Sequence, residues 1–110
     1  MGGFVKGDIV VVLFPFFDLS SAKKRPALVI TSLEGDDVIL CQITSRDIRD
    51  QYAVAISDSD FSAGTLHQDS NIRPNRFFTA DIRVIQYKAG HLNVETTGQI
   101  IDRIIEILQD

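Results

Sequence analysis

The sequence predicts a mainly β, α+β fold: a small, strongly bent antiparallel barrel with one amphipathic C-terminal helix laid against it. Three observations carry this expectation. Short runs rich in β-branched residues recur through most of the chain, separated by turn-forming stretches. None of those runs has the length of a buried helix. Only the tail changes to a helical period, with Val94, Thr97, Ile101, Ile104, Ile105 and Leu108 spaced to share one side. At 110 residues there is room for one core, so the chain reads as a single domain over residues 1–110.

The elements follow in order. Residues 8–14, DIVVVLF, form the first strand, and Pro15 ends it because proline cannot donate to a ladder. Residues 16–25 pass from aromatic to polar to basic and read as a loop. PALVITSL at 26–33 and VILCQITS at 38–45 form a hairpin across the turn Glu34-Gly35-Asp36-Asp37, where glycine supplies a positive φ. YAVAIS at 52–57 is a further strand, and residues 58–71 are loop-like with one helical turn. Two weak strands flank Pro74 and Asn75. Asp81 is placed to cap a short turn through Arg83, Val84 and Ile85, and Asn93 to cap the terminal helix. The third strand is apolar on both sides, so it must be covered twice, by the core and by either the helix or a second subunit.

Composition narrows the function. No apolar run is long enough for a membrane span, and the N-terminus lacks a signal-peptide stretch, so a cytoplasmic protein is expected. Cys41 stands alone, and His67 and His91 lie far apart, so neither a disulfide nor a metal site is expected. The net charge of −4 argues at first against a nucleic-acid partner. The charge is unevenly spread, however. Residues 93–110 carry a local balance of −3, whereas residues 20–33 and residues 73–88 each carry +3. A basic surface facing away from an acidic helix is therefore compatible with the total.

GDIVVVLFPFFD, then KKRPALVITS, then CQITSR and DSNIRPNRFFTAD, with an isoleucine-rich helix to close, resembles the MazF/PemK family of bacterial toxins over nearly the whole chain. The resemblance implies an SH3-like barrel, a homodimer, and a protein antitoxin as partner. It also implies a sequence-specific endoribonuclease that cuts single-stranded mRNA and needs no metal or cofactor. In such cleavage the ribose 2′-hydroxyl attacks the adjacent phosphorus, leaving a 2′,3′-cyclic phosphate and a 5′-hydroxyl. The protein must concentrate positive charge and hydrogen-bond donors around the phosphorane.

Arg25 matches the family's arginine before the Pro-Ala-Leu-Val strand, and its planar fork can grip two phosphate oxygens. Thr44 matches the family's catalytic threonine, and Asp81 the aspartate of an Arg-Thr-x-Asp segment whose arginine is here Phe78. Arg76 is spaced to share a side with Phe78 and take that arginine's place. Asp81 reads equally well as a cap. The basic and polar neighbours Lys23, Lys24, Ser45, Arg46, Arg73 and Arg76 are the expected RNA contacts. Phe16 and Phe17 are candidates to stack on bases or dock an antitoxin, or else to close the barrel's end. Cys41 reads as inert core, and neither histidine is given a role. Two other readings remain open from the residues: a barrel of this type that acts by gripping a protein target without cutting RNA, and an SH3-like adaptor, poorly supported with no tryptophan and two tyrosines.

Overall fold

The computed structural model describes residues 3–15, 22–45 and 50–110. Seven strands and one helix follow in the order β1 (Asp8–Pro15), β2 (Ala22–Ser32), β3 (Asp37–Thr44), β4 (Val54–Ile56), β5 (Phe61–Gly64), β6 (Ser70–Asp81), β7 (Ile85–Leu92) and α1 (Val94–Gln109). Single 3-10 turns at Asp58–Asp60 and Ile82–Val84 lead into β5 and β7. The strands form one antiparallel sheet in the order β4-β6-β3-β2-β1-β7-β5. Register shifts interrupt the β1–β7, β2–β3, β3–β6 and β5–β7 ladders. Each shift bends and twists its strand, and together they curl the sheet into a half-barrel with β4 and β5 as its edges.

Side-chain alternation divides the core in two. Ile9, Leu28, Cys41, Ile43, Ile72 and Leu92 point to the side that α1 covers with Ile100 and Ile104. Val10, Val12, Ala27, Val29, Val38 and Leu40 point to the other side, where Phe4, Phe78, Ile82 and Val84 close over them. Strand β3 is thus covered on both sides, as its two-sided apolar pattern requires, and the helix supplies the second cover for Cys41 and Ile43. Burying each large aliphatic side chain stabilises the fold by about 1.5–3 kcal/mol relative to exposure. Burial also pushes the Cys41 thiol up to about 12, and its Sγ donates to the Arg73 carbonyl at 2.9 Å. Its place in the core is inert, as expected.

Several boundaries differ from the sequence reading. Residues 22–25 are strand, because Ala22 to Arg25 continue the ladder against Val12 to Pro15. Pairing with a neighbouring strand outweighs the weak β propensity of Lys-Lys-Arg. Residues 70–81 form one distorted strand instead of two weak ones. Strands β5 and β7 had no clear signal, since only Gly90 and Leu92 of β7 are buried and no alternation marks it. Gly35 has φ +75 and supplies the hairpin turn as anticipated.

The helix begins where the sequence places it, with the Asn93 side chain accepting from the Thr96 N–H at 2.7 Å. Its buried residues are Thr96, Thr97, Ile100 and Ile104. Val94, Ile105 and Leu108 are exposed. Its apolar arc is wider than the surface it packs on, so periodicity alone could not select the buried side.

A polar cluster pins β1 to β7. Asp8, nearly fully buried, accepts from the Val5 N–H at 2.9 Å and lies 2.7 Å from His91 Nδ1 and 3.2 Å from Lys88 Nζ. Burial works to raise its carboxyl, but the Val5 N–H, His91 and Lys88 outweigh it and hold the group below the usual value. Gly7, at φ +98, lies so close to the His91 ring that a Cβ there would meet it at 2.9 Å. His91, without a role in the sequence reading, is a structural partner of Asp8.

Candidate active site and nucleic-acid interface

The Thr44 end of β3 gathers the basic and hydroxyl-bearing residues. Val12 pairs with Arg25, and Ala27 with Gln42. Residues directly opposite in an antiparallel ladder share a side, and alternate residues along a strand do too. Arg25, two residues before Ala27, therefore lies on the side of Val12 and Ala27. Thr44, two residues after Gln42, lies on that same side. The β2–β3 register continued by two residues sets Arg25 level with Thr44. Lys23 occupies the next equivalent position outward, opposite Phe14.

The β3–β6 ladder adds a third basic residue. Its register passes from Cys41↔Phe77 to Ile43↔Ile72, so Arg73, Pro74, Asn75 and Arg76 together oppose the single residue Gln42. Arg76, which is exposed, is the last residue of this excursion, next to the Phe77 that pairs with Cys41. Pro74 is fully buried and anchors the excursion. Arg73 is held within the fold, where its Nε donates to Asp50 Oδ2 at 3.2 Å and both side chains are largely buried. Burial tends to raise the Asp50 carboxyl, and the Tyr52 N–H, Arg73 and Asn75 more than reverse this, holding it below the usual range. An arginine so engaged is less available to a phosphate than Arg76.

Lys23, Lys24, Arg25 and Arg76 make no ion pair among the described residues. Lys23 and Lys24 are exposed and Arg25 half-buried. Half-burial suits a phosphate ligand, because a side chain partly steadied by the fold and partly reachable from solvent loses less freedom on binding. Ser45 is exposed immediately beyond Thr44.

Asp81 is not brought to this site. It pairs with Asp37, the first residue of β3, whereas Thr44 is the last. Seven residues of strand separate those two positions, about 23 Å at the usual rise. There the Asp81 side chain caps the 3-10 turn, accepting from the Arg83 N–H at 2.8 Å, and pairs with the Arg83 guanidinium at 3.0 Å. Those bonds hold its carboxyl below the ordinary value. The capping expectation for Asp81 describes this environment. Phe16, Phe17 and Arg46 lie outside the described residues. Among the described residues, no group of three or more His, Cys, Asp or Glu is placed to hold a metal ion, and no helix is long and apolar enough to cross a membrane.

A family model of PemK-like, MazF-like toxins of type II toxin–antitoxin systems matches residues 5–108. The chain belongs to this family. Solved structures share the fold: MazF from Deinococcus radiodurans (16% identity, TM-score 0.77, 97% of each chain covered), an endoribonuclease in complex with its cognate antitoxin from a mycobacterial species (14%, 0.77, 97% of this chain and 96% of that one), and the Mycobacterium tuberculosis toxin MazF-mt6 (16%, 0.72, 93% and 96%). No curated protein matches the sequence itself. At these identities the MazF structures establish the fold, and the residues of this MazF-like chain must carry the chemistry.

Gln42 and Asn71 belong to the surroundings of Thr44 and were missed in the sequence. Gln42 pairs with Ala27 and Asn71 with Thr44. The interruption of the apolar run VILC-Q-IT by one polar residue was the available signal for Gln42. Nothing marked Asn71, because the β6 excursion that sets its register leaves no local pattern.

Proposed function

We propose that the protein is a metal-independent, sequence-specific endoribonuclease of single-stranded mRNA, restrained by an antitoxin. What supports this is the β2–β3 register, which ends at Ala27↔Gln42 and, continued by two residues, sets Arg25 level with Thr44 on one side of the sheet, amid cations without carboxylate partners among the described residues. Arg25 would hold two non-bridging oxygens of the scissile phosphate, and Thr44 would donate its hydroxyl to the same group as negative charge builds there. The 2′-oxygen forms its bond to phosphorus as its proton leaves. The bond to the 5′-oxygen breaks, and that oxygen takes up a proton, giving the cyclic phosphate and a 5′-hydroxyl. Arg25 stays protonated throughout, so other groups carry the protons. Need for a 2′-hydroxyl restricts the reaction to RNA.

The family and the relatives solved with antitoxins support a protein partner competing for the same basic surface. We also propose a cytoplasmic homodimer. Lys23, Lys24 and Arg76 are assigned to RNA binding with Ser45, and Asp81 to capping.

The test is to treat a randomised RNA pool with purified protein in excess EDTA and to sequence the ends. Cuts bearing a cyclic phosphate and a 5′-hydroxyl are expected. A strict metal requirement would refute the mechanism. The position of Asp81 favours a second reading, a barrel that grips a protein target without cutting, since it removes a proton-transfer candidate from the site. Tight binding of a partner with the pool left intact would select that reading.

A further inference from the structure

Beside Thr44 lies a cleft of about 330 Å³, lined in part by Ser45, Ala55, Ile56, Asp69, Ser70 and Asn71. It is at the small end of ligand pockets, with room for one planar base. Its place follows from the ladders. Thr44 pairs with Asn71, Asn71 with Ala55, and Ile56 with Ser70, so the cleft opens across the ends of β3, β6 and β4, one strand over from Thr44. Asn71 and Ala55 share Thr44's side of the sheet, while Ile56 and Ser70 belong to the side that α1 covers, so a nucleotide next to the scissile phosphate would enter the cleft by turning round the end of β3.

The polar groups of the cleft differ in their commitments. Asp60, at its rim, is fully used: it accepts from Thr96 Oγ1 at 2.8 Å and from the Ser57 N–H at 2.9 Å. The Ser70 hydroxyl donates to the Gln68 carbonyl at 3.3 Å. Asp69 has neither hydrogen bond nor ion pair among the described residues. It is a carboxylate at the mouth of a base-sized cleft, on a protein whose proposed substrate is a polyanion. Asp69 is exposed, and a negative charge there repels phosphate but offers acceptors to donors on a base edge.

We propose that this cleft is a guanine subsite for a nucleotide within two positions of the cut, with Asp69 accepting from guanine N1–H and the N2 amino group. This rests on the nuclease reading above. The choice among bases follows from hydrogen-bond geometry. A carboxylate offers two parallel acceptors, and guanine alone presents two adjacent donors on its Watson–Crick edge. Adenine and cytosine present one donor beside an acceptor there, and uracil a single N–H between two carbonyls. Ala55 and Ile56 supply the apolar wall, and the Ser45 hydroxyl remains available to the guanine O6 or the backbone.

Sequenced cleavage ends from a randomised RNA pool should be enriched in guanine within two nucleotides of the cut. Matched oligonucleotides carrying guanine or inosine at that position isolate the N2 amino contact, and wild-type protein should prefer guanine by about tenfold. Asp69→Asn offers one acceptor and one donor, and should bring the ratio close to one. Cleavage without guanine enrichment, or an unchanged guanine-to-inosine ratio in Asp69→Asn, would overturn the subsite while leaving the nuclease intact. Should no RNA be cut, the nuclease reading fails separately. Binding of 2′-deoxy-substituted oligonucleotides with guanine or inosine then decides the subsite alone, equal affinities refuting it. Circular dichroism of Asp69→Asn confirms that the variant is folded.

Discussion

The two ends of strand β3 are built from similar residues and put to opposite uses. At the Asp37 end, the arginine is paired within the fold. Asp81 holds Arg83 through two side-chain bonds at 3.0 Å and caps a turn, while the Ile82 N–H donates to the Asp36 carbonyl at 2.8 Å. At the Thr44 end, Lys23, Lys24, Arg25 and Arg76 have no carboxylate partners among the described residues. An arginine paired within the fold contributes to shape, and one left unpaired beside a hydroxyl can bind phosphate. Counting charges along the chain cannot separate the two, since residues 73–88 contain Arg73, Arg76 and Arg83 together. Of these three, Arg76 alone has no ion-pair partner among the described residues.

The sharpest way to break this comparison is to remove one arginine from each end. Arg25→Ala should lower RNA cleavage by about 100-fold or more, the scale of losing a main stabiliser of transition-state charge, while Arg83→Ala retains wild-type rates. Equal effects in the two variants, measured on a single labelled RNA, would sink the assignment of the site.

The Asp8 cluster offers a contrast to both ends, being a charge committed wholly to stability. Asp8→Asn should cost about 2 kcal/mol in urea denaturation at pH 7, as expected for hydrogen bonds to a buried charge. The pH dependence has a definite sign. The folded carboxyl titrates below its ordinary value of 3.8, so its contribution is present above that value and is lost as pH falls through the lower, folded one. Wild type should therefore show a steeper acid limb than Asp8→Asn. Parallel limbs would mean that Asp8 is not the titrating group.

Thr44→Val keeps the β-branched shape and removes the hydroxyl. We expect cleavage to fall about tenfold, in line with one hydrogen bond to a charged group, with little change in melting temperature. The smallest effect belongs to Asp81→Ala, which should lower the melting temperature slightly through the missing cap and still cut RNA. Loss of cleavage in a folded Asp81→Ala protein would bring the far end of β3 back into the chemistry.

Much of the architecture was legible locally. The first three strands, the Gly35 hairpin, the Asp81 and Asn93 caps and the terminal helix each depend on neighbours a few residues away. Strand β7 was not, because Gln86, Tyr87 and Lys88 are exposed and its place is settled by pairing with β1, far off in the chain. The site divides in the same manner. Arg25 and Thr44 stand in the motif, yet their alignment depends on a register across β2 and β3. Asp81 stands in the motif equally well and lies on β6, beside the opposite end of β3.

The sequence by itself therefore determined the mainly β class, the helix, the family and the residue types from which a phosphate site could be made. Tertiary structure decided which cations are spent on internal pairs and which remain open, and where the base-sized cleft lies. The physical reason is that strand pattern is a short-range property of period two, whereas register, bulges and ion pairing join residues separated by tens of positions. A four-residue excursion in β6 leaves Arg76 exposed and without an ion pair among the described residues and gives Arg73 to Asp50, and no local rule foretells that division.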